Sequence, residues 1–115
     1  AVLCRTNAHC AAVAERLRAA GVPCRVRAEA HTPDDTSEAV TVATYFRAKG
    51  LQWPVVFLPG CNEGVIPHSR APVDAERRLF YVALTRASQE LVASWVAVPR
   101  AEARPSRFLV EAGLL

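Results

Sequence analysis

The run Pro54-Val-Val-Phe-Leu58 constrains this chain most, because it is apolar throughout with no polar alternation. A strand of that kind is buried on both faces, as in a parallel sheet with helices on either side, whereas an antiparallel sheet with one wet face alternates. Other short runs share the chain with it. Ala1–Arg5 stays apolar until it stops at Thr6-Asn7, and Cys24–Ala28, Val40–Thr44 and Leu91–Val98 also read as strands. Between them the period changes. Cys10, Val13, Ala14, Leu17 and Ala20 recur at three- and four-residue spacing, with Glu15, Arg16 and Arg18 on the other face. Asn7 is placed to cap that helix, and Gly21 followed by Pro23 to end it.

Asp74 is expected to cap a second helix running to about Ala87, and Ser106–Ala112 to form a short third one before Gly113. Residues 29–38, EAHTPDDTSE, are polar around a Pro-Asp-Asp turn signal and predict a loop. Pro59–Val73, with three prolines and two glycines, is expected to be irregular. Strands alternating with helices predict an α/β fold in which a parallel sheet is flanked by helices on both faces, spanning residues 1–115 as a single domain. Ligands of such sheets bind outside the carboxyl ends of the strands. Three polar clusters are expected there: Arg5-Thr6-Asn7, Thr44 through Gln52, and Pro59 through His68.

Composition narrows the function classes without choosing one. A chain of 115 residues can bury a modest single core. Its 14 basic against 11 acidic residues give a net charge of +3, which permits an anionic partner but does not demand one. Lys49 is the only lysine, and a general arginine bias accounts for that equally well. No apolar run approaches the ~20 residues of a membrane span, and no signal peptide is legible, so a cytoplasmic location without a membrane partner is expected. The absence of methionine predicts that the translated chain begins upstream, as for a processed fragment or a domain cut from a longer chain. Cys4, Cys10, Cys24 and Cys61 form no C-x-x-C pair; they are expected to be reduced core thiols ahead of a disulfide or a metal site. His9, His31 and His68 read as scattered surface groups.

Two segments could carry chemistry. Thr44 and the amides after its strand could grip a phosphate, and Lys49-Gly50 sets a cation beside a residue that lets backbone approach a ligand; a plain surface loop fits the same residues. In the second helix Leu79, Val82, Ala83 and Arg86 fall on one face. An arginine ending an apolar stripe needs an anionic partner or an exit to solvent. It could neutralise a transferring γ-phosphoryl group as an arginine finger, or pair with a carboxylate or free carbonyls at the helix end. Periodicity leaves both open.

The segments VLCRTN, VTVATYFRAKGLQWPVVFLPGCNEGVIPH and ERRLFYVALTRAS, with the closing SW…PSRFL region, resemble in this order the second RecA-like motor domain of the UvrD/Rep-type superfamily-one DNA helicases. The resemblance implies a RecA-like fold of the P-loop NTPase type. It implies that Arg86 contacts the γ-phosphate of ATP held with Mg²⁺ between two motor domains, and that Gln52 contacts the nucleotide sugar. It further implies that Thr44 and Phe46 touch single-stranded DNA, that Arg5, Thr6 and Asn7 lie at the DNA-facing edge, and that Lys49 and Gly50 couple the two surfaces. Its partners would be the first RecA-like motor domain of the same parent chain and single-stranded DNA.

Phe46 stands where the family usually has histidine, exchanging a hydrogen-bond donor for a ring on which a base can stack. Gln52 stands for a glutamate and keeps an acceptor oxygen without the charge. Where many relatives insert a large accessory domain, only the loop at 29–38 is present. The chain contains no G-x-x-x-x-G-K-[ST] loop, so ATP hydrolysis by these residues alone is not expected. Two other readings stand beside the motor domain. One is a degenerate helicase-like module used for protein interaction or regulation. The other is an independent nucleotide-binding domain, although Arg5-Thr6-Asn7 takes the place of a glycine-rich fingerprint after the first strand.

Overall fold

The computed structural model describes residues 1–27, 38–97 and 103–115. Its elements run β1 (Val2–Cys4), α1 (Asn7–Ala19), β2 (Cys24–Val26), β3 (Val40–Thr44), β4 (Trp53–Leu58), α2 (Val73–Leu84), β5 (Ala87–Ala93) and α3 (Arg107–Glu111). The five strands form one sheet in the order β2-β3-β1-β4-β5, and every pairing is parallel. The loop expected at 29–38 lies almost wholly outside the described residues, as do His31 and the ends of two predicted strands at Ala28 and Val98.

Alternation along each strand sorts the core into two layers. Val2, Cys4 and Val42 point to one face and pack with Cys10, Val13 and Leu17 of α1. Leu3, Ala43, Val56 and Leu58 point to the other, where Phe80 and Ala83 of α2 and Phe108 and Leu109 of α3 cover them. Side chains such as Leu3, Leu58 and Phe80 each contribute roughly 1.5–3 kcal/mol by leaving water. Cys4, Cys10 and Cys61 are buried as free thiols, and burial pushes the Cys61 thiol up to about 11, so it packs as a small neutral group.

Local chemistry shifts several boundaries from their expected places. Thr6, not Asn7, caps α1: its hydroxyl accepts from the His9 amide at 3.2 Å. Pro72 precedes α2 without a side-chain cap, and Asp74 sits inside the first turn, where a carboxylate suits the helix dipole. Helix α2 ends at Leu84, short of Ala87, and β5 begins at Ala87, four residues before the expected Leu91. Pairing decides this: Trp53 lies opposite Ala87, and the Trp53 amide donates to the Arg86 carbonyl at 2.9 Å. Ser88, Gln89 and Glu90 are exposed because β5 is an edge strand, and a polar edge does not look like the apolar strands of the interior.

Candidate nucleotide and nucleic-acid edges

The candidate residues divide between the two ends of the parallel sheet. Cys4 is in register with Thr44, so Arg5-Thr6-Asn7 and Thr44-Tyr45-Phe46 leave adjacent strands side by side at the carboxyl edge. The Tyr45 amide donates to the Cys4 carbonyl at 3.0 Å and ties the two exits together. The Thr44 hydroxyl accepts from the Arg47 amide at 3.3 Å, closing a tight turn. Tyr45 turns inward, while Phe46 is 66% exposed with the Lys49 ammonium 4.4 Å from its ring centroid. A flat ring flanked by a cation is a surface on which a nucleobase can stack beside a phosphate.

Gln52 and Arg86 stand at the opposite, amino edge, immediately before β4 and β5. The expectation that Thr44 through Gln52 would gather at strand carboxyl ends is therefore corrected. A parallel connection must return to the start of the next strand, so residues 45–52 travel from one edge to the other, a distance of roughly 17 Å along β4. Lys49 and Gly50 lie on that return, and Gly50 takes φ +78°, a left-handed conformation that suits glycine.

Arg86 is held by a cage without a carboxylate. Its Nε donates to the Val82 carbonyl at 2.9 Å, Nη1 to the Leu51 carbonyl at 3.1 Å and Nη2 to the Thr85 hydroxyl at 3.0 Å. Thr85 is itself anchored on the Tyr81 and Val82 carbonyls. The carbonyl end of α2 thus seats the charge, as a helix C-terminus favours a cation. Three of the five guanidinium N–H groups are used, and among the described residues no carboxylate neutralises it.

Two groupings escaped the sequence reading. The buried stripe of α2 is Glu76, Phe80 and Ala83, with Leu79 and Val82 at its margin. Glu76, only 1% exposed, grips Arg5: Nε donates at 3.1 and 2.9 Å to the two carboxylate oxygens, and Nη2 at 2.7 Å to Oε1. The bonded carboxylate raises the guanidinium pKa above its ordinary value and keeps it charged. The spacing of Glu76, Phe80 and Ala83 carried the signal, since a carboxylate on an apolar stripe requires a cation.

The histidines are the second grouping. His9 and His68 are not scattered: with Thr6, Gly60, Gly64 and Val65 they line a crevice of about 380 Å³. Burial pushes the His9 imidazole below its ordinary value. Gly60 takes φ +70°, and a Cβ there would lie 2.6 Å from His9 Cε1. Gly60→Ala is expected to cost roughly 1–2 kcal/mol of backbone strain plus the displacement of His9. The double change Gly60→Ala with His9→Ala should retain only the backbone share, read as a denaturation midpoint lower than that of His9→Ala alone by less than Gly60→Ala lowers the native one. A thermally neutral Gly60→Ala would show that this contact has room to relax.

Known proteins resemble this chain in sequence and in fold. The profile of the UvrD-like helicase C-terminal domain matches residues 27–97. The chain is 43% identical over 97 residues to the ATP-dependent DNA helicase UvrD2 of Mycobacterium tuberculosis, covering 74% of this chain and 14% of that protein. It is 56% identical over 59 residues to the ATP-dependent DNA helicase PcrA of Bacillus subtilis, covering 47% of this chain and 8% of that protein. Among solved structures, the C-terminal domain of a possible DNA helicase from Lactobacillus plantarum superposes with a TM-score of 0.70 at 26% identity, covering 94% of this chain and 58% of that one. The chain therefore spans only a small part of the curated relatives it matches. Among the described residues no helix is long and apolar enough to cross a membrane.

Proposed function

The chain belongs to the UvrD-like helicase C-terminal domain family, and on that premise we propose that it is the second motor domain of an ATP-dependent DNA helicase. It works against a first motor domain that holds most of ATP and its Mg²⁺. The observation that carries this reading is the seat of Arg86: a charged guanidinium fixed at the amino edge, with no carboxylate partner among the described residues and two N–H groups that none of them takes. Such a group is preorganised to meet negative charge that grows on γ-phosphoryl oxygens. Gln52, exposed beside it, is suited to the nucleotide sugar. At the carboxyl edge Arg5, Thr6, Asn7, Thr44 and Phe46 form half of a track for single-stranded DNA, with phosphate contacts from the polar residues and base stacking on Phe46. Lys49 and Gly50 lie on the connection between the edges and couple them. DNA is favoured over a membrane or a small ligand because exposed Asn7, half-buried Arg5 and Thr6 and the exposed Phe46 ring line one sheet edge, with Thr44 buried beneath them.

The isolated chain tests this. With no phosphate-binding loop of its own, it should show no ATP turnover above a buffer control, with or without oligothymidylate. By fluorescence anisotropy it should bind labelled oligothymidylate weakly. Neutralising two or three phosphates predicts a log–log salt slope of roughly −2. Turnover that tracks the purified domain, or tight binding insensitive to salt, would overturn the reading.

A further inference from the structure

We propose that Glu76 is a positioning residue: it fixes Arg5 for the nucleic acid strand and makes helix α2 the strut along which strand binding reaches Arg86. The inference rests on the functional reading above and goes beyond it, since it assigns coupling to a second route besides Lys49 and Gly50.

The first part follows from how the ion pair is made. Glu76 takes Arg5 side-on, through Nε and one N–H of Nη2, and no other described residue takes Nη1 or the second N–H of Nη2. The Arg5 side chain is 23% exposed and its partner 1% exposed, so a buried carboxylate fixes a side chain that still reaches solvent. Buried ion pairs gain little stability over apolar residues of the same volume. Folding alone would be served as well by two leucines. A guanidinium held rigidly with three N–H groups left over by its carboxylate, next to Thr6, is instead what bidentate phosphate recognition requires.

The second part follows from what else α2 holds. One turn beyond Glu76, Phe80 meets Tyr45 with ring centroids 6.2 Å apart and Phe108 at 5.7 Å. Tyr45 lies between Thr44 and Phe46, so α2 is clasped at the carboxyl edge by both candidate DNA segments. Its other end supplies the Val82 carbonyl and Thr85 hydroxyl that seat Arg86. The twelve residues of α2 span about 18 Å, close to the height of the sheet. A packed helix moves as a unit, so a shift of Arg5 or Tyr45 on binding a strand shifts the cage of Arg86.

The 115-residue chain can be titrated with an eight-residue oligothymidylate while amide and arginine Nε–Hε resonances are followed by NMR. In the native chain the Thr6 and Phe46 amides report binding directly. The Arg86 Nε–Hε and Trp53 amide resonances should move along the same saturation curve. In Glu76→Gln the Thr6 and Phe46 amides should still respond, at an affinity weaker by up to about tenfold, while the Arg86 and Trp53 responses disappear. A Glu76→Gln chain that keeps the native Arg86 response overturns the inference. So does a native chain in which Arg86 stays still at saturating oligonucleotide, a result that needs no variant and stands even if Glu76→Gln fails to fold. Absence of any Thr6 or Phe46 response would overturn the functional reading itself, which is a distinguishable failure.

Discussion

Alanine in place of Arg86 is expected to reduce ATP turnover in the assembled two-domain motor by roughly three orders of magnitude or more, the scale of other arginine fingers. The side chain makes three hydrogen bonds, to Val82, Leu51 and Thr85, and all three are only partly buried. Their loss should therefore cost about 1–2 kcal/mol of stability, a shift of only several degrees in Tm. A thousandfold in rate corresponds to about 4 kcal/mol in the transition state. The two magnitudes separate the roles. If Arg86 only closes the end of α2, turnover falls with the fraction of folded protein and no further. If it meets the γ-phosphoryl group, turnover collapses in an enzyme that melts nearly normally, ATP binding weakens much less, and oligonucleotide binding hardly changes. Arg86→Lys sharpens the comparison, because lysine keeps the charge but cannot hold the Val82, Leu51 and Thr85 acceptors with one planar fork. Near-native turnover in a thermally normal Arg86→Ala protein would refute the assignment.

The architecture was legible because interior parallel strands are apolar on both faces. Val40–Thr44 is found with its expected limits, and Pro54–Leu58 with one residue added at its start. Legibility failed where a neighbour, not the local pattern, decides. Ser88-Gln89-Glu90 looks like the end of a helix and a turn, yet it is strand because Trp53, thirty-odd residues earlier, offers a ladder to Ala87. Thr6 and Asn7 are both good caps, and only the exit direction of β1 chooses between them. The site shows the same division. Arg86, Gln52, Thr44 and Phe46 are candidates on their motifs alone, but which edge each occupies depends on strand direction. The Arg5–Glu76 pair joins residues 71 apart in sequence, and the His9–Gly60 contact joins the first turn of α1 to the loop after β4. Such pairs leave at most half a signal each, an unexplained charge on an apolar stripe or a glycine beside a proline.

Arg5→Ala should be the most destabilising single change among the charged residues, at roughly 3–5 kcal/mol. Glu76 is almost wholly enclosed, between the apolar faces of α2 and the sheet, and its three hydrogen bonds to a side chain all come from Arg5. Truncating Arg5 strands that carboxylate in a medium that solvates it poorly. For a domain of this size the loss amounts to some 10–20 °C in Tm, a large share of the 5–15 kcal/mol by which such folds are stable. Other arginine pairs offer the contrast. Arg77 with Asp74 and Glu111 lies in water, and its removal should leave the melting curve almost unchanged. The decisive comparison replaces both members of the buried pair. With Arg5→Leu and Glu76→Leu together no charge is left unpartnered, and the protein should regain most or all of the lost stability, measured by denaturant unfolding at constant m. Oligonucleotide binding should not return with it. Recovery of stability without recovery of binding means that the pair persists for the strand it faces and not for the fold. If Arg5→Ala costs less than about 1 kcal/mol, water or another donor reaches Glu76, and the carboxylate is not the fixed post on which Arg5 is mounted.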